Sequence, residues 1–274
     1  MILERFVRQF VVMLQHSDIE KDDQKAIEEL LVVIALKCLS IWRHDQRYEV
    51  HERELIAEAN KNPIDRREAG PIVIATAQEL WIEFDGFLVQ VKSVLDHMVH
   101  ILHYTMGLKF SALSSFGDNG NKIIGLLRNN VSAKVPGRRG AARLLIEHIE
   151  INQWWLAVVI ESRDRMNHYM HGGMSPLNFL VALTVQADGT EKLYRPTFSP
   201  GTSVKEEMDV IFKSLLDFVE YFIGIALAPR MPEYAVKFIR TDDKTRPQWQ
   251  MTARKVVEEM LARGEIPPGD TLEL

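Results

Sequence analysis

Long stretches of apolar residues at three- and four-residue steps, with no internal proline, constrain this chain more than any other feature. Such spacing places the apolar side chains on one face of an α-helix, which an internal proline would break. The clearest stretch covers about residues 72–104, before Gly107, and its apolar stripe comprises Leu80, Phe84, Phe87, Val91, Leu95, Met98 and Leu102. The pattern predicts a core helix in this segment.

Similar periodicity predicts the other helices, at residues 2–16, about 24–60, 121–129, about 140–171 and about 203–228. The last of these has an apolar stripe of Met208, Ile211, Leu215, Phe218 and Phe222. Alternating apolar residues before Asp188-Gly189 predict a β-hairpin near 178–197. Each long helix must bury its stripe, so we predict an all-α fold: an antiparallel helical bundle over 1–228, with the hairpin inserted. After Pro229 the composition becomes polar, which predicts a C-terminal tail over 229–274 with one short helix at about 250–263.

Composition limits the compartment and the partners. The net charge of −5 argues against a surface that coats nucleic acid or anionic membrane, although a local basic patch is allowed. Cys38 is the single cysteine, so an intrachain disulfide is excluded and a reducing, cytoplasmic location is expected. Glu4 and Arg5 interrupt the apolar amino terminus, and no apolar run reaches the roughly 18–20 residues that span a bilayer. We therefore expect neither a signal peptide nor a membrane partner.

Polar residues concentrate in the segment ESRDRMNHYMHGG, at residues 161–173, where the aromatic-rich helix of 140–171 ends. Asp164, His168 and His171 are spaced i, i+4 and i+7, so they share one helical face. The carboxylate of Asp164 is therefore in register to orient the imidazole of His168. Arg163 lies about 100° around the helix from Asp164, so it joins His168 at one phosphate if the helix end is distorted or a second chain completes the site.

The run Arg163-Asp164-Arg165-Met166-Asn167-His168 resembles the Arg-x(4–6)-His motif of the HEPN superfamily, including the polar residue after the arginine. Active members of that superfamily are helical bundles that cleave RNA without a metal or other cofactor, as dimers that bring two motifs together. Many act as toxins or in antiviral defence, where a protein partner or antitoxin neutralises them. The resemblance therefore implies a homodimeric ribonuclease with Arg163, Asp164 and His168 as catalytic residues.

The same arginine-to-histidine spacing occurs at two other places, Arg143/His148 and Arg165/His171. Position favours Arg163/His168, which lies at the end of a core helix just before Gly172 and Gly173. The alternative is an ordinary helix end, because histidines there interact with the negative end of the helix and arginines pair with nearby carboxylates. In that case the chain is a catalytically inactive interaction module of the same fold.

A second histidine group favours a different alternative, a metal-binding helical bundle. Asp96, His97, His100 and His103 fall on one predicted helix, and His-x-x-His spacing brings two imidazoles near one ion, with His168 as a partner from another helix. However, steps of three residues drift by about 60° around the helix, so one ion does not easily bind all three histidines. Our leading prediction therefore includes no metal.

Basic residues without any acidic residue fill positions 121–146: Lys122, Arg128, Lys134, Arg138, Arg139 and Arg143. Such a strip is suited to the phosphate backbone of RNA, and we expect RNA to contact Arg138, Arg139 and Arg143. A solvated basic face or a contact for an acidic protein is the alternative. The sequence contains no Walker-type phosphate loop, dinucleotide fingerprint, nucleophile elbow or cysteine–histidine zinc set.

Overall fold

The described chain is predominantly helical, as predicted. A computed structural model describes residues 2–65, 77–130, 137–167, 179–186, 188–199, 202–239, 248–255 and 263. The helices are α1 (Ile2–Gln15), α2 (Lys21–Lys61), α3 (Gln78–Met98), α4 (Ile101–Met106), α5 (Asn121–Asn130), α6 (Arg138–Asn167) and α7 (Val204–Leu227). The strands are β1 (Ile64–Asp65), β2 (Ala182–Val185), β3 (Glu191–Tyr194), β4 (Thr197–Ser199), β5 (Thr202–Ser203), β6 (Tyr234–Ile239) and β7 (Gln248–Ala253). Within these ranges, no helix combines the length and apolarity needed to cross a membrane.

The chain forms two compact units. Unit 1 comprises residues 1–38, 93–157 and 215–274, and unit 2 comprises residues 39–92 and 158–214. Strands β6 and β7 pair antiparallel in unit 1. In unit 2, β2 pairs parallel with β1 and antiparallel with β3, and β4 pairs antiparallel with β5.

The predicted apolar stripes are confirmed as core. All seven stripe residues of the segment containing α3 and α4 are fully buried, and the face of α7 that carries Met208, Ile211, Leu215, Phe218 and Phe222 is also buried. Helix α7 begins with a reciprocal capping pair. The Ser203 N–H donates to Glu206 Oε2 at 2.8 Å, and the Glu206 N–H donates to Ser203 Oγ at 3.2 Å.

The predicted helix of 72–104 is divided where the structure describes it, because α3 ends at Met98 and α4 begins at Ile101. The N–H groups of His100, Leu102 and His103 each donate to the carbonyl three residues earlier, at 3.1–3.2 Å. Such bonds tighten the helix into a 3₁₀-like turn. Gly107 then ends α4 in the left-handed conformation at φ 74°, as predicted.

The hairpin prediction is confirmed over β2 and β3, whose register places Leu183 opposite Leu193. Its turn contains Gly189 at φ 85°, and Asp188 Oδ1 accepts a hydrogen bond from the Thr190 N–H at 3.0 Å. The C-terminal prediction was wrong over residues 250–253. These residues belong to β7, whose backbone groups pair with β6 instead of forming helical bonds; residues 256–262 lie outside the described ranges.

Aromatic packing around Phe218 forms the centre of unit 1. The Phe218 ring makes edge-on contacts with Phe116 and Trp155, at centroid distances of 6.0 and 5.6 Å, and stacks on His148 at 4.6 Å. Trp155 is fully buried, and its Nε1–H donates to Asn152 Oδ1 at 2.8 Å. The neighbouring Trp154 is 56% exposed, so two adjacent tryptophans have opposite environments.

This contrast predicts different effects on stability. Trp155→Ala leaves a cavity beside Phe218, and we expect the free energy of unfolding to fall by about 3–5 kcal/mol. Trp154→Ala is the matched control, with an expected change within about 0.5 kcal/mol. Urea unfolding followed by circular dichroism measures both. Equal losses in the two variants would contradict this description of the core.

Candidate functional site

Of the three side chains predicted to be catalytic, the structure describes one. Arg163 is half-buried near the end of α6, in unit 2. Asp164 belongs to the described helix, but its side chain lies outside the described part, as do the whole of His168 and the predicted helix end at Gly172.

The charge of Arg163 acts on Asp85 of α3, a carboxyl whose pKa is perturbed. Burial raises the pKa of the Asp85 carboxyl, whereas the neighbouring charges of Arg163 and His44 oppose that rise. Charges on α6 and α2 therefore act electrostatically on a partly buried carboxyl of α3. All three residues belong to unit 2.

His44 is fixed by a second carboxylate of α3. Its Nδ1 lies 2.7 Å from Oε2 of Glu83, and the exposed fractions of the two side chains are only 22% and 10%. Arg47 Nη1 lies 3.9 Å from the other oxygen, Oε1. A carboxylate accepts a hydrogen bond from the imidazole nitrogen that faces it, so Nδ1 carries the proton directed at Glu83.

Close packing holds the His44 ring as well. A Cβ atom at Gly86 would lie 2.5 Å from His44 Cε1 and 2.9 Å from both ring nitrogens, so the ring occupies the space that a side chain would need. Glycine inside a helix costs about 1 kcal/mol relative to alanine. The close approach of His44 explains why this position of α3 contains glycine. We call His44, Arg47 and Glu83 the unit 2 polar cluster.

Another buried polar network, also in unit 2, follows one face of α2. Arg195 donates to both oxygens of the buried Glu52 at 3.2 and 2.9 Å, and Lys205 Nζ lies 2.9 Å from Oδ1 of the buried Asp45. Tyr48 lies between Asp45 and Glu52 in the sequence and is fully buried, and burial raises the pKa of its hydroxyl. Buried charges need such compensation, so these pairs hold α2 to the segment after β3 and to α7.

The histidines of the metal alternative make contacts with the backbone. His97 Nδ1 lies 2.6 Å from the Ser93 carbonyl oxygen, and His103 Nδ1 lies 2.7 Å from that of Leu108. The His100 ring packs on Phe110 at a centroid distance of 4.6 Å. Among the described residues, no group of three or more histidine, cysteine, aspartate or glutamate side chains is placed to hold a metal ion.

Arg143 and His148 also have the spacing of the Arg-x(4–6)-His motif, and here the histidine packs in the core. His148 Nε2 lies 3.1 Å from the Phe218 carbonyl oxygen, and its ring stacks on the Phe218 ring at an angle of 14°. Its surroundings are those of the unit 1 core. His148 is therefore a core residue of unit 1, whereas His44 in unit 2 is paired with the buried carboxylate of Glu83.

The three arginines expected to bind RNA have unequal exposure. Arg139 and Arg143 are exposed and one helical turn apart on α6. Arg138 is half-buried, its Nη1 donates to the Met106 carbonyl at 3.4 Å, and burial together with the nearby charge of Arg230 lowers its pKa. Arg138 therefore helps to close the end of α4, and the exposed arginines are the ones presented to a ligand.

The chain matches no family model, no curated protein and no solved structure. The site therefore stands on its own geometry. The sequence analysis did not identify His44, Glu83 or Asp85. A signal for Glu83 was present: it follows Leu80 by three residues and precedes Phe87 by four, which places a carboxylate in the apolar register of α3.

The burial of Asp85 predicts a pH-dependent stability. Because its pKa is raised in the folded protein, the stability present when the carboxyl is protonated is lost as the pH rises through that pKa. We expect Asp85→Asn to raise the urea midpoint at pH 7, with the gain disappearing as the pH falls below about 4. A gain that is the same at both pH values would contradict the assignment.

Asp188→Asn is the control of opposite sign. Hydrogen bonds from Thr190 lower the pKa of Asp188, so its ionised form is favoured in the folded hairpin. We expect this variant to have a lower urea midpoint at pH 7 than the wild-type protein.

The exposure of Arg139 and Arg143 predicts their effect on RNA affinity. The double reversal Arg139→Glu/Arg143→Glu should weaken binding at low salt and reduce the slope of log affinity against log salt by about 0.7–0.9 per lost phosphate contact. Lys21→Glu/Lys25→Glu makes the same charge change at exposed positions of α2 and should have a smaller effect. Equal affinities for the two double variants, measured by fluorescence anisotropy, would exclude this strip from the RNA contact.

Proposed function

We propose that this chain is an HEPN-like, metal-independent endoribonuclease, built as an antiparallel helical bundle and acting as a homodimer. The observation that carries the proposal is the environment of Arg163. The charge of the motif arginine acts on a partly buried carboxyl of another helix, because it opposes the rise in the pKa of Asp85. An arginine at an ordinary helix end forms an ion pair with an exposed carboxylate of its own helix.

The proposed reaction is internal attack of a ribose 2′-hydroxyl on the adjacent phosphate. Arg163 stabilises the negative charge that grows on the phosphorane oxygens, because its guanidinium is permanently charged and donates to two oxygens at once. His168 transfers protons, and Asp164 orients it. The products carry a 2′,3′-cyclic phosphate on one fragment and a free 5′-hydroxyl on the other.

Asp85 has a supporting role in this proposal. When Asp85 is ionised, its negative charge attracts the Arg163 guanidinium. Asp85 also balances the charge of Arg163 when no phosphate is bound. The phosphate then replaces part of that interaction during binding.

The remaining parts of the proposal follow from the HEPN resemblance and the charge distribution. The RNA backbone crosses Arg139 and Arg143, with Arg138 beside them. The protein works in the cytoplasm as a toxin or antiviral-defence effector, and a protein partner or antitoxin controls it.

A catalytically inactive interaction module is the second candidate. It is favoured by three exposed apolar side chains on α3: Trp81, Ile82 and Val89 are 38%, 48% and 41% exposed. They lie within four residues of Asp85 along the same helix. A protein partner that covers them would also cover Asp85, and such a protein would not cleave RNA.

The decisive experiment is RNA cleavage in the presence of EDTA. Arg163→Ala and His168→Ala should each lower the cleavage rate by about 10²–10⁴-fold, because one stabilises charge and the other transfers protons. Helicity and oligomeric state should stay as in the wild-type protein. Products with 2′,3′-cyclic phosphate ends support internal attack, whereas 5′-phosphate ends indicate metal-assisted hydrolysis.

Matched controls are available on α2. His51 pairs with the exposed Glu54 at 3.7 Å, and Arg53 pairs with Glu49 at 2.8 Å, both on the surface. His51→Ala and Arg53→Ala should therefore retain wild-type cleavage. His148→Ala tests the other spacing match, although its core position means that folding must be checked first. Equal trace activity in the wild-type and His168→Ala proteins would favour the interaction module.

A further inference from the structure

Five aromatic rings of unit 1 contact one another in series around α4. His97 contacts His100 at a centroid distance of 6.3 Å, and His100 contacts Phe110 at 4.6 Å. Phe110 makes an edge-on contact with His103 at 5.7 Å, and His103 makes another with Tyr104 at 4.9 Å. Phe110 is 49% exposed, and His103 is exposed as well. An apolar ring is therefore presented to solvent while its neighbours hold it from below.

Local backbone geometry fixes Phe110 in this position. Gly107 ends α4 at φ 74°, so the chain changes direction before it reaches Phe110. His103 Nδ1 lies 2.7 Å from the Leu108 carbonyl oxygen, which holds that ring against the segment leading to Phe110. A ring that is ordered before binding loses little conformational entropy when a ligand covers it. The exposed face of Phe110 is thus suited to a flat partner.

The part of the chain that contains Phe110 is strongly basic. Residues 97–146, all in unit 1, contain seven lysines and arginines but a single acidic residue, Asp118, in a protein whose net charge is −5. Asp96 immediately precedes this segment, and its Oδ1 accepts a hydrogen bond from the Phe116 N–H at 2.8 Å. The charge of the segment therefore favours an anionic partner.

Two basic residues connect the exposed ring to the start of α6. Lys109 directly precedes Phe110 and is exposed. Arg138, the first residue of α6, donates from Nη1 to the carbonyl of Met106 at 3.4 Å, four residues before Phe110 in the chain. The arginines at the start of α6 consequently begin at the end of α4, where the segment carrying Phe110 also begins.

We propose that Phe110 stacks on an unpaired base of single-stranded RNA, whose phosphates contact Lys109 and the exposed Arg139 and Arg143. A single strand combines flat aromatic bases with a negative charge at every phosphate, which matches an exposed ring beside cations. The bases of a duplex are already stacked on their neighbours. The inference rests on the RNA binding in the proposed function, not on cleavage, and it specifies single-stranded RNA as the substrate class.

The central test measures binding of a short 2′-O-methyl oligoadenylate, which cannot undergo internal attack because its 2′-oxygen has no proton. Phe110→Leu keeps an apolar side chain but removes the ring, so we expect its affinity to fall by about 5–150-fold. Phe110→Trp should retain binding, because an indole also stacks on a base. Equal affinities of the wild-type protein and Phe110→Leu would overturn the proposal.

Trp154→Leu is the matched control. It removes an aromatic ring that is 56% exposed elsewhere in unit 1, and the affinity should stay at the wild-type value. Circular dichroism verifies that all three variants are folded. A loss in Trp154→Leu as large as that in Phe110→Leu would mean that the effect is not specific to Phe110, and would contradict the assignment.

Salt dependence separates stacking from charge. Stacking releases no counterions, so Phe110→Leu should lower the affinity at every salt concentration without changing the slope of log affinity against log salt. Lys109→Gln should instead reduce that slope by about 0.7, the value for one phosphate contact of a single strand. A changed slope in Phe110→Leu would mean that the ring acts through its charged neighbours, and would reject stacking.

The RNA itself provides two further readouts. Wild-type protein and Phe110→Leu should bind a 2′-O-methyl duplex equally, because its bases are not available for stacking. The emission of 2-aminopurine, a fluorescent base that is quenched when it stacks, should fall when the oligomer binds wild-type protein and fall less with Phe110→Leu. The same loss of affinity on duplex and single strand, with equal quenching by both proteins, would overturn the proposal.

Failure of this proposal is distinguishable from failure of the proposed function. If the wild-type protein cleaves RNA in EDTA while Phe110→Leu binds the oligoadenylate normally, the ribonuclease stands and stacking on Phe110 is rejected. If single-stranded RNA binds in a manner that depends on Phe110 but is never cleaved, stacking stands and the ribonuclease is rejected. If the wild-type protein binds no RNA, both are rejected.

Discussion

The burial of Glu83 is the constraint on which the unit 2 polar cluster depends. A carboxylate in the apolar register of α3 is costly unless other groups compensate its charge, because burial removes water from it. His44 and Arg47 on α2 provide that compensation, one on each carboxylate oxygen. The His44 ring consequently lies against α3, and the residue beneath it has to be glycine. One buried charge thus determines the orientation of a histidine and the identity of Gly86.

Arg163 acquires its significance from this arrangement. On its own helix it is one of several arginines near carboxylates, and only the motif spacing and its position near the helix end separate it from them. In unit 2 its charge acts on Asp85, whose pKa is raised by burial. The combination of a permanent cation, a perturbed carboxyl and an oriented imidazole is typical of sites that bind and transform anionic substrates. These groups are the physical basis of the proposed enzymatic function.

The histidines show that spacing along a helix does not predict the tertiary contacts of a side chain. His148 satisfies the arginine-to-histidine spacing as well as His168 does, yet its ring is stacked on Phe218 in the core. His97 and His103 have the spacing of metal ligands, yet their Nδ1 atoms face carbonyl oxygens of Ser93 and Leu108. Spacing along a helix determines which side chains share a face, but not which atoms the rest of the fold places opposite them.

The sequence by itself determined the helical class, the core stripes of α3 and α7, the stop at Gly107 and the β2–β3 hairpin. These features depend on neighbours three or four residues away, or on the turn chemistry of one or two residues, so local pattern is sufficient. Only the tertiary structure decided that residues 248–253 pair as a strand with β6, because a strand needs a partner that local periodicity does not reveal. It alone placed His44 against Glu83, since the two residues come from different helices and lie 39 positions apart in the chain. Local sequence encodes the faces of the helices, and long-range packing decides which polar groups of those faces meet.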